Sequence, residues 1–245
     1  MAAILSLTES QAFTALRAML VGILPANVPV VQAQANRVAE PQAADFVLMT
    51  PVGQRRLGTN DTEFGDNIVT GSIAGALLTV SAIVQGALTP GALLLDTTGI
   101  LAPGTVLGMQ QSGTPGGVGT YAVTPAQTVA SETIYAGLRS DLVPTELAVQ
   151  LDVHGPGSAD NAKIIEGLFR SGYAIDAFAA SGFDITPLYC SDARQIPFVN
   201  DQNQVENRWV VEAEMQINPV ISTPQQFASQ VAAKVVEAAP DYTGP

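Results

Sequence analysis

The stretch from Leu147 to Tyr189 constrains the fold most, because it places a strand, a stop and a helix in direct succession. From Leu147 to Val153 apolar and polar residues alternate, which is the pattern of a strand with one buried face. The sequence Gly155-Pro156-Gly157 ends this strand, since proline lacks a donor and glycine frees the backbone. Ser158 is then a favourable N-cap, and Asp160 falls in the first turn of the predicted helix.

The same reasoning extends this αβ unit into a core of strands and flanking helices. Thr8 and Gln11 have the spacing of a capping box ahead of the first helix. The predicted helices are Glu9–Ile23, one beginning near Ser158, Tyr173–Ala180, and Pro224–Ala238 capped by Thr223. The predicted strands are Val28–Ala35, Phe46–Leu57, Leu147–Val153, Asp184–Tyr189 and Gln204–Asn218. We expect the first two strands to pair as a hairpin with a long loop, and Ser191–Asn203 to be a loop.

Composition changes sharply inside the chain. Between Asn67 and Leu138 the only charged residues are Asp96 and Glu132, and no stretch has helical periodicity without a Gly or Pro. We therefore predict an inserted all-β domain over 67–138, between core segments 1–66 and 139–245. Its predicted strands are Ile73–Val84, Leu93–Leu95, Val106–Met109, Gly119–Val123 and Thr133–Ala136. The predicted fold class is α+β, with a mixed, mainly antiparallel sheet, flanking helices and this insert.

The predicted insert contains a short repeat. The segment Gly86–Leu94 matches Gly99–Leu107, and each copy carries a Pro-Gly pair, at Pro90-Gly91 and Pro103-Gly104. Proline presets φ at the second position of a type II turn and glycine accepts the positive φ of the third, so two such turns are predicted. The glycine-rich segment Ser112–Gly119 predicts a flexible hairpin tip.

Charge and composition limit the possible partners. The net charge is −12, and lysine occurs only at Lys163 and Lys234, so we expect no surface that grips nucleic acid. An acidic surface that DNA passes without sticking is compatible with these numbers. The N-terminus lacks a basic region before its apolar residues, and Pro90, Asp96 and Pro103 interrupt the most apolar stretch, so we expect neither a signal peptide nor a membrane span.

Candidates for catalysis are sparse. His154 is the only histidine and Cys190 the only cysteine, without the spacing of a metal site or a nucleophile motif around them. The sequence from His154 to Ser158 precedes a helix N-terminus that could cradle an anion, but a strand stop followed by an N-cap explains the same residues. Arg55-Arg56 is too short for a nucleic-acid patch and suits a salt bridge between subunits equally well. We predict no catalytic, cofactor-binding or metal residues, and hence no enzyme.

Several segments of the predicted core resemble the phage neck and tail-terminator proteins of contractile-tailed phages. These segments are Asn36–Asn60, Pro144–Ile165, Phe178–Trp209 and Ile217–Ala228. Within the insert, GSIAGALLTV and GGVGTYAVTPAQTVASETI are similar to a small β module that recurs in unrelated phage virion proteins. A minimal terminator does not need such an insert, so the insert departs from the family pattern.

The resemblance implies a structural virion protein. It implies a ring, usually of six copies, that closes the tail tube and sheath, joins the head connector and lets DNA pass through its lumen. It also implies a mixed sheet with flanking helices and assembly in the host cytoplasm. A second hypothesis, from a different class, is a carbohydrate- or receptor-binding decoration protein in which Tyr121 and Tyr135 of the β insert stack on sugar.

Overall fold

The computed structural model describes residues 3–33, 41, 43–199 and 205–225. Its helices are α1 Glu9–Ile23, α2 Ser158–Phe169 and α3 Gly172–Ala180. Its strands are β1 Ile4–Leu5, β2 Val30–Gln32, β3 Phe46–Arg56, β4 Asp61–Gln85, β5 Leu93–Leu95, β6 Val106–Gly113, β7 Gly119–Leu142, β8 Thr145–His154, β9 Ile185–Cys190, β10 Arg194–Gln195, β11 Phe198–Val199, β12 Val205–Glu206, β13 Arg208–Ile217 and β14 Val220–Pro224. The chain divides into two compact units, residues 1–63 with 140–222, and residues 64–139 with 223–245.

The first unit is built on a mixed sheet. Its strands follow the order β10-β13-β8-β3-β2, and β9 also pairs with β13. All of these pairs are antiparallel except β2 with β3, which is parallel. The mixed, mainly antiparallel sheet and its helices confirm the predicted α+β class. The predicted hairpin of the first two strands is wrong, because a parallel pair cannot be joined by a simple reversal of the chain.

One face of this sheet is buried by the three helices. Every second residue of β8 (Leu147, Val149, Leu151, Val153) and of β13 (Val211, Ala213, Met215, Ile217) lies in one apolar cluster with the helices. The helices contribute Phe13, Leu16 and Leu20 from α1, Ile165 and Phe169 from α2, and Phe178 from α3. The apolar residues that recur at period 2 in the strands and at helical spacing in the helices therefore pack in one core.

Helix α1 begins as its sequence predicts. The Thr8 hydroxyl accepts the Gln11 backbone N–H at 3.3 Å, and the Gln11 side chain accepts the Thr8 N–H at 2.8 Å. Helix α2 begins differently, since its N-cap is Gly157 and Ser158 is its first helical residue. The predicted N-cap role of Ser158 is therefore wrong.

The second unit consists of long strands that bend. Strand β4 folds back on itself near Gly75, whose φ is 64°. Two contacts between its halves show this reversal: the Ser81 hydroxyl donates to Thr70 O at 3.1 Å, and Ala87 N donates to the Asn67 side chain at 3.1 Å. The predicted strand Ile73–Val84 covers only part of β4. The predicted strands Gly119–Val123 and Thr133–Ala136 are parts of the single strand β7.

Both predicted Pro-Gly turns are present in this unit. Ala92 N–H donates to Thr89 O at 3.2 Å, and Thr105 N–H donates to Ala102 O at 3.2 Å. The glycine in the third position of each turn has positive φ, 93° at Gly91 and 78° at Gly104, as a type II turn requires. The repeated sequence thus encodes two equivalent chain reversals.

The C-terminal predictions need four corrections. The predicted loop Ser191–Asn203 contains β10 and β11, and the predicted strand Gln204–Asn218 is interrupted at Asn207 between β12 and β13. Val205 is exposed rather than part of the buried face. Thr223 and Pro224 belong to β14 and Gln225 is not helical, so no helix begins there; residues 226–238 of the predicted helix lie outside the described residues.

Candidate interaction surfaces

The turn between β8 and α2 already holds an anion of its own. The Gly157 N–H donates to the Asp45 carboxylate at 2.7 Å, across 112 residues of sequence. Gly155 has a φ of 101°, and a Cβ there would clash with Ala44 O, so only glycine fits. The anion position that the sequence suggested for a ligand is therefore taken by Asp45 at the N-terminus of α2.

His154 lies beside this turn as a buried structural residue. Its side chain is 4% exposed and stacks on Phe46, with ring centroids 4.6 Å apart. Its Nδ1 is 3.9 Å from a Glu206 carboxylate oxygen. On the same face of the sheet, Arg208 Nε donates to Asp152 at 2.9 Å. These contacts join the start of β3, the end of β8 and the start of β13.

Cys190 and His154 do not form a catalytic pair. Their partners on β13, Ala213 and Arg208, are five positions apart, which corresponds to roughly 16 Å along a strand. An odd separation also puts the two side chains on opposite faces of the sheet. Cys190 is fully buried, and this burial raises the pKa of its thiol to about 12, so it is a poor nucleophile.

Tyr121 cannot stack on a sugar. Its side chain is fully buried in the core of the second unit, and its hydroxyl donates to Gly117 O at 2.7 Å. Tyr135 is half-buried on β7. Of the two tyrosines that the binding hypothesis used, only Tyr135 has surface to offer.

The only two acids that the sequence places between residues 67 and 138 lie side by side. The Thr98 hydroxyl is 2.7 Å from an Asp96 carboxylate oxygen and 2.8 Å from one of Glu132. Burial alone would raise the pKa of Asp96, but backbone N–H groups of Leu101, Ile100 and Gly99 and the Thr98 hydroxyl together lower it. No local pattern links Asp96 to Glu132 in the sequence, but the Asp-x-Thr-Gly segment from Asp96 to Gly99 favours the side-chain-capped turn that brings Thr98 to Asp96.

The paired arginines Arg55-Arg56 are held within the chain. Arg55 makes two hydrogen bonds to the Glu146 carboxylate on β8, at 3.1 and 2.7 Å. The hydrogen bond to Glu146 is the main reason that the pKa of Arg55 is raised. The Arg56 side chain bonds to Gly58 O and to Asn60. An intramolecular salt bridge thus accounts for Arg55.

Neither a cluster of metal-ligand side chains nor a membrane-crossing helix occurs in the described part of the chain. Across residues 3–33, 41, 43–199 and 205–225, no three His, Cys, Asp or Glu side chains are grouped as metal ligands would be. In the same part of the chain, none of the helices has the length and apolar character needed to cross a membrane.

Comparison with known protein families identifies the class of protein to which the chain belongs. Residues 97–239, more than half of the 245-residue chain, match the family of phage neck terminator proteins. The chain therefore belongs to the phage neck terminator family, a family of structural virion proteins of the tail and neck. No curated protein matches the chain at a significant level. The match covers residues 97–138 of the predicted insert, but it begins after Asn36–Asn60, one of the segments that carry the resemblance.

Proposed function

We propose that copies of this chain close into a ring, a hexamer in the virion, at the neck of a phage with a contractile tail. The ring ends the tail tube and sheath and joins them to the head connector. The observation that carries this proposal is the match to the neck terminator family over residues 97–239. A sheet edge supports it, since β9 pairs only with β13 among the described strands and exposes Leu188 and Tyr189.

The proposed ring lets DNA pass through its lumen without binding it. The net charge of −12 opposes adhesion to phosphate. Two of the arginines that could grip DNA are held by carboxylates, Arg55 by Glu146 and Arg208 by Asp152. We expect no band shift with duplex DNA at physiological salt; a shift that weakens steeply with added salt would contradict a passive lumen.

The decisive experiment is electron cryo-microscopy of the neck in intact particles, with particles assembled without this chain as the control. We expect six-fold density for the chain in a closed ring at the head–tail junction, absent from the control. Density at the tail tip, the fibres or the capsid surface, with none at the neck, would refute the proposal and favour the carbohydrate- or receptor-binding alternative.

We also propose that residues 67–138 are an inserted β domain within a core formed by 1–66 and 139–245. The change in composition at both ends supports this division, and residues 64–139 fall within one compact unit, although that unit also includes residues 223–245. Limited proteolysis should cut near Asp66 or Arg139. Cleavage only deep inside the core, with residues 67–138 intact and inseparable from it, would count against the division.

The proposed role needs no catalytic, cofactor-binding or metal residue. His154 and Cys190 already have structural positions in the core sheet, on opposite faces. A single buried cysteine also suits assembly in the reducing host cytoplasm, where no disulfide is required.

A further inference from the structure

The charge of the chain is distributed unevenly between its parts. Residues 64–139, called the β segment here, contain three acids and one arginine, a net charge of −2. The remaining nineteen acidic and nine basic residues give the rest of the chain a net charge of −10. Two copies whose facing surfaces both lie in the β segment therefore repel less than two copies that face each other through the rest of the chain.

The β segment also exposes large apolar side chains. Met109 on β6 is 72% exposed and Val118, next to β7, is 46% exposed. Met109 lies where the pairing of β6 with β7 shifts register, so the bulge turns its side chain out of the regular ladder. Few charges would have to be desolvated on this surface and apolar area is available for burial there, so the β segment is suited to a protein contact.

Val118 lies in a hairpin tip that hydrogen bonds hold in place, and Met109 lies on β6 just before this tip. We define the braced tip as residues Ser112–Gly119 together with Met109. The Gln110 side-chain amide donates to Thr114 O at 2.7 Å, and its oxygen accepts Gly116 N–H at 3.0 Å. Leu88 N–H donates to Gly116 O at 2.8 Å.

The Tyr121 hydroxyl adds a bond to Gly117 O, also at 2.7 Å. The sequence predicts a flexible tip; in the structure, side chains and backbone from three neighbouring segments form hydrogen bonds to it. A loop that is already ordered loses little conformational entropy on binding, which favours its use as a contact surface.

We propose that the braced tip is the surface through which each copy of this chain contacts the next copy. This inference rests on the proposed ring and assigns one of its contacts. The charge distribution favours a second copy as the occupant, because the tip is a near-neutral part of a strongly acidic chain. The match to the neck family also covers the whole tip. A sugar is disfavoured because Tyr121, the aromatic ring nearest the tip in sequence, is buried.

Photo-crosslinking in assembled particles tests the contact. A thiol-linked benzophenone is attached to Val118→Cys, with Ile175→Cys on the exposed side of α3 as the matched control. Because Cys190 is fully buried and its thiol pKa is raised to about 12, it stays unlabelled at neutral pH. Position 118 should yield covalent dimers and higher multimers of this chain, and position 175 should not.

Charge insertion tests whether the contact matters. The variants Met109→Asp and Val118→Asp place a carboxylate in the contact, whereas Ile175→Asp places one on α3. All three sites are exposed, so the purified variants should melt like the wild type. Closed rings on tail ends should fall about tenfold or more for the tip variants only, since tenfold corresponds to the loss of a modest contact. Val118→Ile should assemble normally.

The outcomes separate this inference from the proposed function. If the wild-type chain forms no ring at the neck, the proposed function fails. If the ring forms, but position 118 crosslinks to another virion protein or to nothing, the copy-to-copy contact is refuted while the ring survives. Rings that close normally when one chain carries both Val118→Asp and Met109→Asp would also refute the copy-to-copy contact.

Discussion

Removing the carboxylate of Asp45 should destabilise the junction between β8 and α2. Asp45→Ala deletes the acceptor of the 2.7 Å bond from Gly157 N–H and the negative charge at the N-terminus of α2. A hydrogen bond to a charged group contributes about 1.5–3 kcal/mol and a helix-end charge about 0.3–1 kcal/mol. Asp45 is half-buried, so we expect a loss of about 2 kcal/mol, which lowers Tm by roughly 4–8 °C for a chain of this size.

Two matched variants make this prediction specific. Asp45→Asn keeps an acceptor and loses the charge, so it should cost about 1 kcal/mol. Ser158→Ala removes a buried hydroxyl that forms no hydrogen bond with the described residues, so it should change stability by less than about 0.5 kcal/mol.

The assay is urea unfolding followed by circular dichroism, with hydrogen exchange of the first α2 amides as a local readout. Asp45→Ala should speed exchange at Asn161, whose N–H bonds to Gly157 O at 3.0 Å. Sulfate should stabilise Asp45→Ala more than the wild type, because it can occupy the vacated anion position. If Ser158→Ala costs more than Asp45→Ala, the assignment of Asp45 as the resident anion is refuted.

Three further predictions concern other groups. Near pH 8, Cys190 should react with a thiol reagent about a thousandfold more slowly in the folded chain than in urea, because burial raises its pKa from 9.0 to about 12; equal rates would contradict this. Asp152→Ala should cost about 3 kcal/mol in urea unfolding, because it leaves the partly buried Arg208 without this partner. A double-mutant cycle with Arg208→Leu should show coupling above about 0.5 kcal/mol, because Arg208→Leu in turn leaves the buried Asp152 carboxylate without this partner. The lowered pKa of Asp96 contributes stability that is fully present above pH 3.8, its ordinary pKa, and is lost as the pH falls through the lowered pKa. The melting temperature of Asp96→Asn should therefore approach that of the wild type in acid. A difference in melting temperature that stays constant with pH would refute this.

Local signals in the sequence predicted local structure well. The capping box of Thr8 and Gln11 fixed the start of α1, because both partners lie within one turn. The two Pro-Gly turns formed where glycine supplies the positive φ that the turn needs. Alternation gave the buried faces of β8 and β13, because burial on one side of a sheet leaves a period-2 pattern.

Features that depend on distant partners were missed. Ser158 has the chemistry of an N-cap, but the carboxylate beside the turn comes from Asp45, which no local pattern links to α2. Alternation also cannot distinguish a parallel neighbour from an antiparallel one, so it does not reveal that β2 runs parallel to β3. The folding back of β4 at Gly75 was hidden because glycine in a strand also marks bulges and bends.

The long sequence separation between β3 and β8 affects the order in which a nascent chain can fold. Arg55 and Glu146 are neighbours in the sheet but are 91 residues apart in sequence. A nascent chain therefore presents β3 long before its antiparallel partner is made, while the hairpins in between can close from nearby residues. The exposed arginines at the end of β3 and the proline at position 51 disfavour pairing of other chains with β3 before β8 is synthesised. A ribosome that stalls before residue 145 would release a chain in which the central pairing of the core sheet cannot form.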